Sequence, residues 1–510
     1  IELNNFWSLT NKESINNYLN NANNIKSQIL EKELFSLLEK ANLDLDKKEN
    51  RQIFFSIVNY FYKNGNITKS YDLISKKDLQ NYDNINFYNM IKLNYLLSTF
   101  QLDRVCDLKD EFSKEINFKH FLIEKIDIFC LILNNKYSEA ELLNSILLET
   151  EVKIDNNFQQ LYSAIISNNN ELEKIDIKFS DPINKDLIFL YSSMLRIAEL
   201  PLNPDFLKVD SKNLAIPIIL NQSSPIDLRI KAANDSFLGN NISIESLAAL
   251  YQSVDFNSSQ LNNPTETIEK FSNNIEMLMA FHFQLINIQI FPSERIEALM
   301  NFWNFSKLNN LEEISYSLSY KIVQSIELSA ENLEFSPQIA SSYIYNKNYE
   351  MALEWINFYE GIKGIDEKIA YVKILYNLYS AAETQKIIEI ITSNSEVFSK
   401  SKDKKVEELM FVLFSTLQNN LNQSLSENFN TIYDNRLMPS TFIIENLNNS
   451  IQNNNNDIFL MYSIVSLNNK NWNEIHPQHL KILLSGFINY NDGELIREII
   501  IEILKHYKIL

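Results

Sequence analysis

Histidines and their acidic neighbours are the residues here whose types and spacing could do chemistry. His476 and His479 flank Pro477 at a spacing that puts both imidazoles on one face of a helix, and Glu474 is the only further ligand nearby. A metal site normally takes three or four protein ligands, so the pattern favours the start of a helix on the surface. We predict no metal site.

Other polar residues also have structural interpretations. His282 lies between Phe281 and Phe283, which is typical of a hydrogen-bonded histidine in a core. Asp44 and Asp46 match the first two ligands of a calcium loop, but the glycine and the terminal glutamate of such a loop are missing. The sequence contains no G-x-G-x-x-G loop and no G-x-S-x-G elbow. We therefore predict no catalytic residue and no cofactor.

The two cysteines, Cys106 and Cys130, lie in apolar stretches typical of helices. Buried thiols that behave as small hydrophobic groups are the simplest interpretation. A disulfide is the alternative if the chain is exported. Two cysteines in 510 residues do not make a disulfide framework.

The composition favours a long helical protein. A chain of 510 residues exceeds what one compact core usually holds, whereas a repeat protein grows along one axis. Hydrophobic residues make up 45% of the chain, which supplies ample material for a core. The 6 glycines and 10 prolines are too few for the turns of an all-β fold of this size.

The net charge of −19 comes from 65 acidic and 46 basic residues. Proteins that bind nucleic acids or anionic membranes present basic surfaces, so the charge argues against both partners. The most apolar stretch, Met277 to Phe291, is broken by polar residues, and we expect no transmembrane span. The chain begins with Ile1 rather than Met, so we expect a preceding segment, where a signal peptide or lipid anchor would lie.

A helix-hairpin pattern recurs every 35 residues in the first third of the chain. Apolar runs flank a short polar break in KNGNITKSYDLI, LSTFQLDRVCDL, LILNNKYSEAEL and IISNNNELEKIDI. The first apolar residues after these breaks are Ile67, Leu102, Tyr137 and Leu172, and the position three later is small or apolar, as at Ala140. The period predicts antiparallel helix pairs that stack and share one core.

A clearer copy starts at Ser336 and Pro337, which suit the N-cap and the first turn of a helix. Its order of a small residue, an aromatic, a turn, a tyrosine and a second small residue resembles the tetratricopeptide repeat. In this copy the residues expected to pack between helices are Ala340, Tyr343, Tyr349, Ala352 and Trp355. In the earlier copies they are Ile67, Leu102, Tyr137, Ala140 and Leu172. The resemblance implies an all-α, superhelical α-solenoid of antiparallel helix pairs, in which Gly65 is the one family glycine retained before a turn.

The patterns divide the chain into four segments. We expect residues 1–50 to form an amino-terminal helical cap and residues 51–180 to form regular repeats. Residues 181–265 are rich in proline and irregular, and residues 266–510 form carboxy-terminal repeats with a terminal cap. Methionine and aromatic residues at 277–305 favour core packing, with a peptide-binding groove as the alternative.

A second resemblance concerns the middle of the chain. The segments LRIAELPLNPDF and SPIDLRIKAANDSFLGNNISIESLAALYQSV, within residues 195–255, resemble uncharacterised exported helical-repeat proteins of α-proteobacteria. This resemblance implies a periplasmic or envelope-associated location, and the cytoplasm is the alternative.

These features predict a non-enzymatic scaffold that binds a protein or a peptide on the concave face of a solenoid. Two alternatives stay open. One is the superhelical domain of an exported cell-wall enzyme such as a lytic transglycosylase, which would need a compact catalytic module with a glutamate. The other is a solenoid that binds a small ligand.

Overall fold

The protein is helical in every part that the structure describes. The computed structural model describes residues 12–507 except 23, 42, 80–81, 110–120, 168–186, 211, 240, 382, 394–403, 418–433 and 491. Within these ranges the only strand-like pairing is an isolated bridge between Leu437 and Ile475. The predicted all-α class is therefore confirmed, whereas the arrangement of the helices as a solenoid stays a prediction.

The chain divides into two compact units. Unit 1 consists of residues 1–57 and 322–510, and unit 2 consists of residues 58–321. The predicted segment 266–510 therefore contributes to both units. The chain starts with α1 (Lys12–Asn21), α2 (Gln28–Glu39) and α3 (Lys48–Lys63), the last of which crosses into unit 2.

Unit 2 is a series of short helices that pack mainly on their neighbours in sequence. Its helices are α4 (Ile67–Ser75), α5 (Ile85–Ser98), α6 (Leu102–Lys109), α7 (Leu122–Leu133), α8 (Tyr137–Thr150), α9 (Asn156–Ser167), α10 (Ile188–Ile197), α11 (Asp205–Asp210), α12 (Ala215–Leu220), α13 (Ile226–Leu238), α14 (Ile244–Gln252), α15 (Ser258–Asn262), α16 (Pro264–Lys270), α17 (Ile275–Ile288) and α18 (Pro292–Leu308).

The remainder of unit 1 follows α19 (Glu312–Val323), which crosses the second boundary. Short 3₁₀ turns lie at Ala330–Phe335 and Trp472–Glu474. The helices are α20 (Ser336–Tyr345), α21 (Tyr349–Lys363), α22 (Glu367–Ser380), α23 (Thr384–Ser393), α24 (Lys404–Leu417), α25 (Thr441–Gln452), α26 (Asn456–Leu467), α27 (Pro477–Asn489) and α28 (Gly493–His506).

The 35-residue period corresponds to a repeated backbone turn. Helices α4, α6 and α8 begin at Ile67, Leu102 and Tyr137, the three described positions of the period. Before each one, an N–H donates to the carbonyl five residues earlier, and the residue ahead of the donor has a left-handed φ, as in a Schellman helix end. The donors are Asn66, Gln101 and Lys136 at 2.8, 2.8 and 2.9 Å, and the left-handed residues are Gly65, Phe100 and Asn135.

The later copy uses the same turn. Asn348 N–H donates to the Tyr343 carbonyl at 2.9 Å, and Lys347 has a φ of 59°. The predicted N-cap of this copy is wrong, because Ser336 already has helical φ and ψ where the preceding 3₁₀ turn runs into α20. Its buried hydroxyl has no hydrogen-bond partner among the described residues.

The proline-rich middle of the chain packs back onto the first repeats of unit 2. Asn213 accepts from the Ile67 N–H at 3.0 Å and donates to the Tyr62 carbonyl at 2.9 Å. A Cβ added at Gly65 would lie 2.0 Å from the Cβ of Lys212, so this contact requires glycine. Helix α10 also packs against α5 and α9. Part of the predicted irregular segment 181–265 therefore supports the regular repeats.

Unit 1 joins the two ends of the described chain. Helix α2 packs against α26 and α28, and α1 packs against α26. The Glu502 carboxylate of α28 accepts from Ser27 Oγ at 2.5 Å, from the Gln28 N–H at 2.7 Å and from Trp472 Nε1 at 2.8 Å. Ser27 is the N-cap of α2, so Glu502 places a negative charge at the positive end of that helix.

Candidate functional site: the outer face of helix α8

The predicted packing residues differ in how they are buried. Ile67, Ala140, Ala340, Tyr343, Ala352 and Trp355 are buried, and Leu102 and Tyr349 are half-buried. Leu172 lies outside the described residues. The prediction that Tyr137 packs between helices is wrong, because its side chain is 47% exposed. Its hydroxyl donates to Asn135 Oδ1 in the preceding turn at 3.0 Å. Although α8 begins at Tyr137, the ring therefore points away from the core.

Helix α8 touches the core through one narrow stripe. Its buried residues are Ala140, Asn144 and Leu147, and the helix packs mainly on α7. Asn144 and Gln159 of α9 exchange two amide hydrogen bonds, each of 2.9 Å. The remaining surface of α8 is left for solvent or for a partner.

Three apolar side chains occupy much of that remaining surface. Leu142, Leu143 and Ile146 are 63%, 37% and 48% exposed. Ile146 lies about one turn after both Leu142 and Leu143, so the three side chains share one side of the helix. We call these three residues the outer face of α8. Val152 and Ile154 are exposed apolar residues in the turn that follows. A solvent-facing helix usually carries polar residues there, so this face has the character of an interaction surface.

A buried ionic cluster fixes the carboxyl end of α8. Lys125 of α7 is fully buried, and its Nζ donates to Glu151 Oε1 at 2.9 Å and to Asp155 Oδ2 at 2.8 Å. The ammonium also lies 5.7 Å from the ring centre of Phe158. Glu151 follows directly on α8 and Asp155 directly precedes α9, so one lysine ties three helices together.

All four carboxylate oxygens of Glu151 and Asp155 accept hydrogen bonds. Asp155 Oδ1 accepts from the Phe158 N–H at 3.1 Å, and its Oδ2 also accepts from the Tyr191 hydroxyl of α10 at 2.5 Å. Glu151 Oε2 accepts from the Asp155 N–H at 3.3 Å. Burial, and then the charge of Asp155, raises the pKa of Tyr191. Since the groups are buried and paired with each other, the cluster positions α8 and offers no surface to a substrate.

The cysteines form a covalent link in the same region. Cys106 of α6 and Cys130 of α7 are disulfide-bonded with a Cα–Cα distance of 5.7 Å. The simplest interpretation of buried thiols is therefore wrong, and the alternative of a disulfide holds. The packing of α6 against α7 brings the two side chains together, which spacing along the chain did not reveal.

The histidines do not form a metal site in the described part of the chain, where no group of three metal-binding side chains occurs. His476 is the N-cap of α27, and its Nδ1 accepts from the Gln478 N–H at 3.1 Å. His479 is fully buried rather than on the surface, with Nε2 2.8 Å from Ser466 Oγ. Burial lowers its pKa to about 4.

The methionine- and aromatic-rich stretch packs inside unit 2. Met279, Phe281, Phe283, Met300, Phe302 and Trp303 are buried. His282 is also buried, 5.2 Å from the ring of Phe305, and burial lowers its pKa to about 4. The interpretation as core packing therefore holds for these residues.

A second exposed apolar site is smaller. Ile290 and Phe291 protrude in the turn between α17 and α18, which Arg295 fixes through two hydrogen bonds to the Gln289 carbonyl at 3.1 and 2.7 Å. The outer face of α8 has more apolar side chains and a regular helical framework, so it is the stronger candidate.

Sequence reasoning missed the outer face of α8 because it used apolar residues only to locate core. The signal in YSEAELLNSILLET is an excess of apolar residues. Beyond the buried Ala140 and Leu147, four aliphatic side chains are spread around the helix and cannot all pack inside, namely Leu142, Leu143, Ile146 and Leu148. No helix in the described part of the chain is long and apolar enough to cross a membrane.

Comparisons with protein families, with curated proteins and with solved structures find no match to this chain. The resemblances to tetratricopeptide repeats and to exported α-proteobacterial proteins stay predictions. The functional interpretation therefore rests on the geometry of the chain itself.

Proposed function

We propose that this protein is a non-enzymatic helical-repeat scaffold, a tetratricopeptide-like α-solenoid, that binds a protein or peptide partner. The exposed outer face of α8 is the observation that carries the proposal. A repeat protein can stay stable with such an exposed face, because each helix pair packs on its neighbours through only one stripe of side chains. The repeated turn at 35-residue intervals supports the solenoid arrangement.

We further propose a periplasmic or envelope-associated location. The disulfide between Cys106 and Cys130 supports it, because disulfides persist in oxidising compartments and are rare where glutathione and thioredoxin keep thiols reduced.

Site-specific photo-crosslinking tests the scaffold function. Benzoylphenylalanine replaces Leu142 in one version of the full chain and Leu308 in the control, and each is irradiated in an extract of the source organism. Leu308 at the end of α18 is 84% exposed and is therefore at least as accessible. We expect one discrete protein adduct from position 142 and none from position 308. Adducts of equal pattern from both positions, or only adducts within the chain from position 142, would contradict the proposal.

A further inference from the structure

The outer face of α8 has an acidic border. Glu139 lies one turn before Leu142, and Glu149 lies one turn after Ile146, so each end of the apolar stripe meets a carboxylate. Glu141 adds a third exposed carboxylate on the same helix. Residues 122–167 contain seven acidic and three basic side chains, and one of the bases, Lys125, is buried in the ionic cluster. The surface is therefore apolar along its centre and negative at both ends.

We infer that the partner is a cationic amphipathic α-helix, which lays its apolar stripe on Leu142, Leu143 and Ile146. Lysine or arginine side chains of that helix lie beside Glu139 and Glu149. The inference rests on the proposed scaffold function and adds the chemical class of the partner. Packing an amphipathic helix against an apolar helical face is a common mode of peptide recognition.

The dimensions set the partner's pattern. Glu139 and Glu149 are ten residues apart on α8, which corresponds to about 15 Å along the helix axis at 1.5 Å per residue. A partner helix that runs roughly alongside α8 therefore needs basic residues about ten positions apart, with an apolar stripe of about two turns between them.

The cation beside the amino-terminal carboxylate of the border is weakly held. Lys136 Nζ lies 3.7 Å from Glu139 Oε2, and the side chains are 56% and 61% exposed. An exposed pair of this kind contributes little free energy and is screened by salt. A cationic partner can therefore replace Lys136 beside Glu139.

Charge also argues against other occupants. A second copy of this chain would place the same carboxylates opposite Glu139 and Glu149, and like charges across an interface are repulsive. The acidic border equally disfavours an anionic lipid surface. A cationic helix satisfies both the apolar centre and the border.

The test uses the full chain and three synthetic peptides of about 18 residues, long enough to form several helical turns. One peptide contains leucine and lysine with leucines in a helical stripe. The second has the same composition with the leucines scattered, and the third replaces lysine by glutamate. Fluorescence anisotropy at low and at physiological salt should show that the first binds at least about tenfold more tightly than the others, and more weakly as salt rises.

Two pairs of variants locate the binding. Glu139→Gln/Glu149→Gln should weaken binding of the leucine–lysine peptide about fivefold to tenfold and flatten its salt dependence. The matched control Glu294→Gln/Glu297→Gln removes two exposed carboxylates from α18 and should change affinity less than about twofold. Leu142→Ser/Ile146→Ser should abolish binding, whereas Leu308→Ser should not.

The outcomes separate the inference from the function on which it rests. Equal binding of the glutamate peptide, or loss of binding equally in the α18 control, would overturn the cationic class. Failure of every peptide to bind, together with a discrete cross-link from position 142, would also overturn the class while the scaffold function stands. Failure of both the peptides and the cross-link would remove the scaffold function as well.

Discussion

Lys125 Nζ lies 2.8 Å from Asp155 Oδ2 inside unit 2, and neither side chain has more than a trace of solvent exposure. Glu151 and the Tyr191 hydroxyl complete the contacts of this ion pair. Four helices meet at one buried charge. Because an ammonium in a core is costly unless it is fully paired, removal of any one charged partner should destabilise the packing of these helices.

The first prediction concerns the loss of the positive charge of Lys125. Lys125→Met leaves Glu151 and Asp155 buried without their cation, so it should destabilise unit 2 by about 3–5 kcal/mol. A urea titration, with unfolding monitored by hydrogen exchange in peptides from α7, measures the loss in the free energy of unfolding. Lys208→Met is the control, because Lys208 pairs with Asp205 on the surface, where such pairs contribute less than about 1 kcal/mol. A loss below about 1 kcal/mol for Lys125→Met would show that the carboxylates do not need this cation.

The sequence indicated the helix pairs well. Helices begin at Ile67, Leu102, Tyr137 and Tyr349 because apolar periodicity and a short polar break are local signals. The turn between them needs only a left-handed residue. Phe100 and Lys347 take that conformation without being glycine or asparagine, which is why the glycine signature was incomplete.

Contacts between distant residues could not be read in the same way. Lys125 sits in the apolar run LIEKIDIFCLIL, and its partners Glu151 and Asp155 are 26 and 30 residues away at the ends of other helices. The pairing of Cys106 with Cys130 depends on how two helices are rotated about their axes. The excess of apolar residues in α8 is visible in the sequence, but which of them form the outer face is clear only when the side that packs in the core is known.

The second prediction concerns the contact at Gly65. Gly65→Ala would put a Cβ against Lys212 Cβ and also strain a left-handed backbone, so we expect a loss of about 2–4 kcal/mol. Asn135→Ala is the control, because Asn135 has the left-handed φ of 59° at the equivalent position of another turn and already carries a Cβ. It should therefore cost only about 1 kcal/mol. Equal losses in the two variants would show that the contact with Lys212 yields freely.

The third prediction concerns the disulfide. Its reduction opens a loop between residues 24 apart and should lower stability by about 3 kcal/mol. The urea midpoint of unit 2 should fall when a thiol reductant is added to the wild-type chain. The double variant Cys106→Ser/Cys130→Ser should show the lower midpoint with or without reductant. Two reactive thiols in the denatured, unreduced protein would contradict the link.

The fourth prediction is a dependence on pH. Burial lowers the pKa of His282 to about 4, whereas histidine in an unfolded chain titrates near 6.5. The stability that neutral His282 contributes is complete above pH 6.5 and is lost as the pH falls towards 4, up to about 3 kcal/mol. His282→Leu should therefore reduce the loss of stability of unit 2 between pH 7 and pH 4.5.

Met279→Leu is the control for this pH dependence. It changes a buried, non-titrating residue of the same helix at nearly constant volume. Its effect on stability should be equal at both pH values. If the effect of His282→Leu on stability is also equal at both pH values, His282 does not titrate with a lowered pKa in the folded protein.

The fifth prediction concerns the junction of the two chain ends. Glu502→Gln replaces an anion that accepts hydrogen bonds from Ser27, Gln28 and Trp472, and it should destabilise unit 1 by about 1.5–3 kcal/mol. Glu498→Gln, one turn earlier, breaks only a 3.5 Å pair with exposed Lys32 and should cost less than about 1 kcal/mol. Hydrogen exchange of peptides from α2 reads out the difference. Equal protection of α2 in both variants would contradict the role given to Glu502.

Because α2 packs against α26 and α28, unit 1 can be completed only after unit 2 has been translated. Unit 2 is one continuous insertion within unit 1, so residues 1–57 leave the ribosome before the rest of their own unit has been translated. At about 5–20 residues per second, the intervening residues delay assembly by roughly ten to fifty seconds. During that interval Leu30 and Leu34, buried in the finished protein, have no partner helices. A nascent chain that stops before α28 would keep this amino-terminal apolar surface open to chaperones and proteases.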